Sequence, residues 1–226
     1  ILLGEDPTDP VALWEKMYYE TNRYGRRGAA IHAISGADIA LWDIKGQAEG
    51  KPISELLGGR LRDDVRAYAS VLFADTPEQT AEMAKQYVEM GLTAVKFGWG
   101  PIGDDAAVDV AHVQAAREAI GEERDLMVDA GHAWDWETAL GRTELFQPFN
   151  LTWLEEPVGQ DDRHGYRELC KRSQIPIAGG EGDVTHFDFK ELIDCGLHVV
   201  QPDIAFCGGI TTCQRISQMT TAQRRR

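Results

Sequence analysis

Three acids occupy matching places along the chain. Asp129 follows the apolar run Leu126-Met127-Val128, Glu155 follows Thr152-Trp153-Leu154, and Glu181 follows Ile177-Ala178-Gly179-Gly180. Both intervals are 26 residues, so each acid holds the same position in its own repeat. A single acid after an apolar run usually caps a helix or sits in water. Three in register at predicted strand ends point instead to one shared site. Carboxylates packed together without a counter-ion repel and are driven toward protonation, and a divalent cation reverses that penalty. Oxygen-only ligation, with positions left for water and substrate, suits Mg²⁺ better than zinc.

Bringing such acids together requires repeated strand–helix units. From Val65 onward, short β-branched or apolar runs alternate with amphipathic segments, the sequence form of a parallel sheet with crossover helices. Strands are predicted at 65–71, 93–97, 125–128, 151–154, 175–178 and 198–201. Helices are predicted at 77–90, 106–120, 136–146, 163–172, 184–195 and 210–219. The region 61–226 thus reads as about six βα units. Residues 1–60 read differently, with helices at 11–22, 28–48 and 53–57, the last stopping at Gly58-Gly59.

Consecutive βα units either close into a barrel or form an open doubly wound sheet. An open nucleotide-binding sheet wants a glycine-rich turn after its first strand, and Leu72-Phe73-Ala74-Asp75-Thr76-Pro77 contains no glycine. The fold class expected is therefore α/β, a partial TIM-type (β/α) barrel preceded by helices. In the polar tail, 220–226, the hydrophobic periodicity disappears, which predicts a truncated or disrupted end.

The bulk properties narrow the partners. A formal charge of −14 and a pI near 4.8 create a field that repels phosphate backbones and anionic headgroups, so neither nucleic acid nor a membrane surface is an expected partner. No apolar run approaches the roughly 18 to 20 residues that span a bilayer, and Ile1-Leu2-Leu3-Gly4-Glu5-Asp6 lacks the pattern of a signal peptide, so a cytoplasmic location is expected. Cys170, Cys195, Cys207 and Cys213 form no Cys-x-x-Cys pair and are expected to be reduced.

Several stretches carry a resemblance to a known family. Ser35-Gly36-Ala37-Asp38-Ile39-Ala40-Leu41-Trp42-Asp43-Ile44-Lys45-Gly46, followed by Pro52 to Gly59, resembles the junction between capping domain and barrel in the mandelate racemase/muconate-lactonizing branch of the enolase superfamily. Trp153-Leu154-Glu155-Glu156-Pro157, Gly180-Glu181 and Gln201-Pro202-Asp203-Ile204 with Gly208-Gly209-Ile210-Thr211 are similar to its later strand ends. The resemblance implies that residues 1–60 belong to an α+β capping domain, that its first strands would precede Ile1, and that Asp129, Glu155 and Glu181 hold Mg²⁺. Glu156 becomes a supporting residue behind them.

The same resemblance assigns acid–base candidates. Asp203 matches an acid that orients a catalytic histidine on the following strand, and that histidine is expected beyond Arg226. None of the six histidines present is a natural partner for Asp203. The family usually carries Lys-x-Lys near the second strand end. Here Lys96 stands at the first place and Gly98 at the second, so one face of the substrate lacks its usual base. Lys96 can serve only if its proton is released, and a lysine beside Mg²⁺ in a desolvated pocket has its pKa lowered toward about 7 to 8. His132, three residues after Asp129, lies in a loop where the family often places substrate-facing or acid–base groups. Trp99 and Trp134 are candidate pocket walls.

The chemistry implied is removal of a proton next to a carboxylate. A placed base contributes about 10²–10⁴-fold, so charge stabilisation by the metal carries much of the rest. Racemisation needs groups on both faces, against which Gly98 argues. Dehydration of a sugar acid is the expected reaction, with cycloisomerisation second and a catalytically inactive scaffold as the alternative outside enzymology. The resemblance also implies a homo-oligomer.

Overall fold

The computed structural model describes residues 1–222; residues 223–226, the end of the polar tail, lie outside the described residues. Helix α1 (Pro10–Thr21) starts where the Asp9 side chain accepts from the Ala12 amide and Pro10 presets the first turn. Helix α2 (Ala29–Glu49) stops at Gly50, whose left-handed backbone lets its amide reach the carbonyls of Gln47 and Gly46. A single turn, α3 (Ile53–Leu56), follows Pro52.

The remaining elements alternate. Strands β1 (Ala69–Leu72), β2 (Ala94–Gly98), β3 (Asp125–Asp129), β4 (Trp153–Glu155), β5 (Ile177–Gly179) and β6 (Val199–Val200) are separated by α4 (Pro77–Glu89), α5 (Ala106–Ile120), α6 (Trp136–Phe146), α7 (Arg163–Arg172) and α8 (Thr185–Cys195). Helix α9 (Gly209–Ala222) follows β6. The strands lie in sequence order in one six-stranded sheet, and β1 through β5 pair in parallel. The order never reverses, so the sheet has no switch point of the open doubly wound kind, in keeping with the barrel-type winding expected.

Helix boundaries follow their caps. Thr76, Asp105, Asp135 and Asp162 accept amide hydrogens at the starts of α4, α5, α6 and α7. Strand boundaries depart from expectation. The first strand begins at Ala69 rather than Val65, because the ladder with β2 opens at Ala69↔Val95, while Arg66 bonds through its side chain to Thr93 and Asp125. Strand β6 keeps two residues of the four expected. Just before it, the His198 amide donates to the Ile177 carbonyl at 3.0 Å, and the Ile177 amide donates to the His198 ring nitrogen Nδ1 at 3.1 Å.

Contacts divide the chain into two compact units. The first comprises Ile1–Val65, Gly180–Ile193 and the segment from Val200 onward. Its core packs Leu13, Trp14, Met17, Tyr18, Ile31, Ile34, Leu41 and Val184. Polar bonds tie α1 and α2 to the start of α9. Trp14 Nε1 donates to the Gly208 carbonyl at 2.7 Å, the Gly208 amide donates to Ser35 Oγ at 2.9 Å, and Asp38 accepts from both the amide and the hydroxyl of Thr211. A Cβ at Gly209 would lie 2.4 Å from Asp38 Oδ2, so this approach requires glycine.

The second unit comprises Arg66–Gly179 and Asp194–Val199 and holds most of the sheet with α4 to α7. Strand β2 is buried at every position, as a parallel strand covered on both faces should be. Val95, Phe97, Leu126, Val128, Leu154 and Ile177 are fully excluded from solvent. The buried Arg117 guanidinium serves the carbonyls of Phe149, Gly121, Arg124 and Asn150, and so ties down the loops entering β3 and β4.

Candidate active site

Within the second unit, three successive strands end on functional side chains. Parallel register places Gly98 beside Asp129 and Asp129 beside Glu155, with Lys96 two residues before the end of β2. Alternation along the strand points Lys96 and Gly98 to the same face. Lys96 Nζ lies 2.5 Å from Glu155 Oε1 and 3.5 Å from Asp129 Oδ2. All three residues are buried, Glu155 completely. The other oxygen of Glu155 accepts from Trp153 Nε1 at 3.0 Å, so both carboxylate oxygens are engaged.

The electrostatics follow from burial and neighbours. Burial acts to lower the Lys96 pKa, but the hydrogen bond and charge of Glu155, with Asp129 behind it, outweigh burial and hold it above the ordinary lysine value. Between these carboxylates alone, the shift is therefore opposite to the lowering expected beside a metal. Asp129 is pushed above the usual carboxylate range, first by burial and then by Glu155. Lys96 and the Gly131 amide, 3.0 Å from Asp129 Oδ1, pull it back.

Gly98 has a steric reason. A Cβ there would lie 2.8 Å from the Asp129 Cβ and 3.3 Å from its Cγ, so any side chain at 98 would displace this acid as it stands.

The loops leaving β3 and β4 are zipped together. The amides of Ala130, His132 and Trp134 donate in turn to the carbonyls of Glu155, Glu156 and Pro157. His132 sits at φ 64° and Glu156 at φ 42°, both in the left-handed region. That pairing brings His132 Nε2 to 3.1 Å from Glu156 Oε2, while Nδ1 lies 2.9 Å from the Val158 carbonyl. Both partners only accept, so both ring nitrogens donate and the ring is an imidazolium. The hydrogen bond that the ring donates to Glu156 raises its pKa to about 9 against the opposing effect of burial.

The two tryptophans differ. Trp134 is buried, donates to the Gly103 carbonyl and packs against Phe146. Trp99 is 58% exposed, and its indole lies so close over Gly131 that a Cβ there would come within 2.7 Å. The bond from Trp153 to Glu155 and the His132–Glu156 pair depend on how the strand ends fold and were not expected from the sequence. The Trp-Leu-Glu-Glu-Pro motif held the only signal for either.

Of the acids in the first unit, Glu181 stands two residues beyond the end of β5 and is exposed. Asp203 is turned into its own loop, where Oδ1 accepts from the amides of Ala205 at 2.6 Å and Phe206 at 3.2 Å. Asp129 and Glu155 in the second unit and Glu181 in the first each carry a carboxylate of the kind that binds a hard divalent cation. A donor set of carboxylates alone fits Mg²⁺. The ammonium of Lys96 supplies a positive charge to two of these acids, which is the compensation the set requires.

Comparisons with known proteins identify the family. Residues 79–226 match the family described as enolase C-terminal domain-like, and residues 1–58 match the mandelate racemase / muconate lactonizing enzyme N-terminal domain. The D-galactarolactone cycloisomerase of Agrobacterium fabrum is 36% identical, over 97% of this chain and 59% of that protein. The L-talarate/galactarate dehydratase of Salmonella typhimurium is 37% identical, over 100% of this chain and 56% of that protein. A mandelate racemase/muconate lactonizing protein from Paracoccus denitrificans, solved in complex with magnesium, superposes with a TM-score of 0.91 at 31% identity, over 97% of this chain and 61% of that one. The chain thus spans less than two thirds of the length of these relatives. No helix among the described residues is long and apolar enough to cross a membrane. The strand-end acids, the sequential parallel sheet and these matches together mean that the chain belongs to the mandelate racemase / muconate lactonizing enzyme family of the enolase superfamily.

Proposed function

We propose that the protein is a Mg²⁺-dependent lyase that removes the α-proton of a sugar-acid carboxylate and eliminates water, giving a 2-keto-3-deoxy acid. The observation that carries this reading is the placement of Lys96 against Asp129 and Glu155, with Gly98 rather than a second base on the same strand face. Asp129, Glu155 and Glu181 would hold the metal, which when bound supplies Lewis-acid stabilisation of the charge that develops on the substrate carboxylate.

The chain's own residues divide the proton work. Lys96 Nζ takes the α-proton, which first requires it to give up its ion pair with Glu155 and lose its own proton. The His132 imidazolium, its proton shared with Glu156, donates to the departing β-hydroxyl, so one proton is removed and one delivered as water leaves. Trp153 fixes the Glu155 carboxylate, and Glu156 keeps His132 charged. Asp203, held by its own loop amides, is a positioning residue rather than a proton carrier. The substrate is a small carboxylate, and the working protein is a cytoplasmic homo-oligomer.

Cycloisomerisation of a lactone or anhydro-sugar acid is the second reading. It uses the same single base, and cycloisomerases stand beside dehydratases among the relatives. The test is to incubate the protein with Mg²⁺ and a panel of aldonates, aldarates and their lactones in D₂O, scoring 2-keto product and deuterium incorporation. Dehydration predicts a 2-keto acid from an open-chain substrate. Turnover of a lactone without water loss would select cycloisomerisation, and α-deuteration with neither product would select racemisation and sink both readings.

A further inference from the structure

Two of the four cysteines are in contact. The sulfurs of Cys207 and Cys213 lie 3.4 Å apart, one at the end of the loop after β6 and the other in the second turn of α9. Their settings differ. Cys207 is fully buried beside Phe189 and Ile216, whereas Cys213 is part-exposed and borders an apolar groove of about 480 Å³ with Ile53, Leu57, Ile204 and Ile210. Cys195 Sγ is engaged elsewhere, with the Arg163 carbonyl and the Arg167 guanidinium.

We propose that Cys207 and Cys213 form a peroxide-sensitive thiol pair, Cys213 being the residue attacked and Cys207 the one that resolves it into a disulfide. A disulfide needs its sulfurs at about 2.05 Å, so they must approach by roughly 1.4 Å. The first step is attack of the Cys213 thiolate on hydrogen peroxide. The O–O bond breaks, the sulfur is oxidised by two electrons to a sulfenic acid, and hydroxide leaves. In the second step Cys207 sulfur attacks the sulfenic sulfur, the S–S bond forms, and the sulfenic oxygen leaves as water with the thiol proton. Overall, two thiols and one peroxide give one disulfide and two waters.

The order of attack follows from the same contact. The contact between the two sulfurs lowers the Cys213 pKa against the effect of burial and raises that of Cys207. Access agrees, because peroxide can reach Cys213 from the groove and cannot reach Cys207 directly. The bond would tie α9 to the loop in which Asp203 accepts the Cys207 amide at 2.8 Å through its carbonyl.

The experiment treats the reduced chain with hydrogen peroxide, then counts free thiols after unfolding and maps them by mass spectrometry. Cleavage after Phe206 places Cys207 and Cys213 together on a peptide without Cys195. The expected result is a fall from four free thiols to two, with a loss of about 2 Da on that peptide, reversed by dithiothreitol. The double variant Cys170→Ser/Cys195→Ser should still lose two thiols. Cys213→Ser, at a part-exposed position, should abolish disulfide formation and leave Cys207 unoxidised. Oxidation confined to Cys170 or Cys195, accumulation of sulfinic acid at Cys213 with Cys207 still free, or retention of all four thiols would each overturn the proposal.

Discussion

Lys96 Nζ lies 2.5 Å from Glu155 Oε1, a buried ion pair that crosses from β2 to β4 over the end of β3. The ammonium takes the place of a counter-ion for two acids that would otherwise face each other in a desolvated site. A group proposed as the base is therefore also an electrostatic support of the strands that carry these acids.

Replacing Lys96 with methionine tests both roles. Removing one partner of a buried pair leaves an uncompensated charge and costs about 3–5 kcal/mol. Lys96→Met is expected to lower metal-free stability by that order, measured by urea denaturation, and Mg²⁺ should recover more stability in the variant than in the parent. α-Proton exchange with D₂O should be lost. Retention of exchange would reduce Lys96 to a positioning group.

Gly98→Ala addresses the acid beside it. The added Cβ meets the Asp129 Cβ at 2.8 Å, and overpacking of this kind costs about 1–3 kcal/mol. The variant should be less stable and should bind Mg²⁺ more weakly, seen as a smaller thermal shift at a given metal concentration. Gly98→Lys, which recreates the Lys-x-Lys pattern, should fare no better, because the obstruction lies at Cβ. Unchanged metal binding in both variants would mean that Asp129 has freedom not apparent from its contacts.

The His132–Glu156 pair makes a pH prediction. The folded pKa of about 9 exceeds the ordinary 6.5, so the stabilisation is fully present below about pH 6.5 and is lost as the pH rises through about 9. Asp129 and Glu156 are the charged groups acting on the ring, and both favour its protonation. Because a third of the His132 side chain is exposed, the contribution is discounted for solvent screening. Glu156→Gln should return the His132 titration, followed by NMR, toward 6.5, whereas a titration unchanged near 9 would assign the shift elsewhere.

Asp38 joins α2 to the start of α9 through the amide and hydroxyl of Thr211. Asp38→Ala would strand both donors in a buried setting, at about 1–3 kcal/mol for each unsatisfied group. Denaturant unfolding should show a loss of that order, and Asp38→Asn, which keeps one acceptor oxygen, should lose less. Equal losses would assign the effect to packing against Gly209 instead.

Helices were legible because their limits are local. The bounds of α5, α6 and α7 are marked by Asp105, Asp135 and Asp162, whose side chains bond amides two or three residues ahead. Strand limits were less legible, since β1 extends only as far as its ladder with β2, from Ala69↔Val95 to Leu72↔Gly98, and β6 keeps only Val199 and Val200.

The site divides along the same line. Residue type and period alone carry the parallel βα order, the regular spacing of Asp129, Glu155 and Glu181, and the absence of a second lysine at Gly98. Only the tertiary structure decided that Lys96 answers Glu155, that Gly98 makes room for Asp129, that Glu156 holds His132 charged, and that Asp203 turns into its own loop. Each depends on cross-strand register or on how one loop folds back, and short-range sequence patterns do not encode those distances.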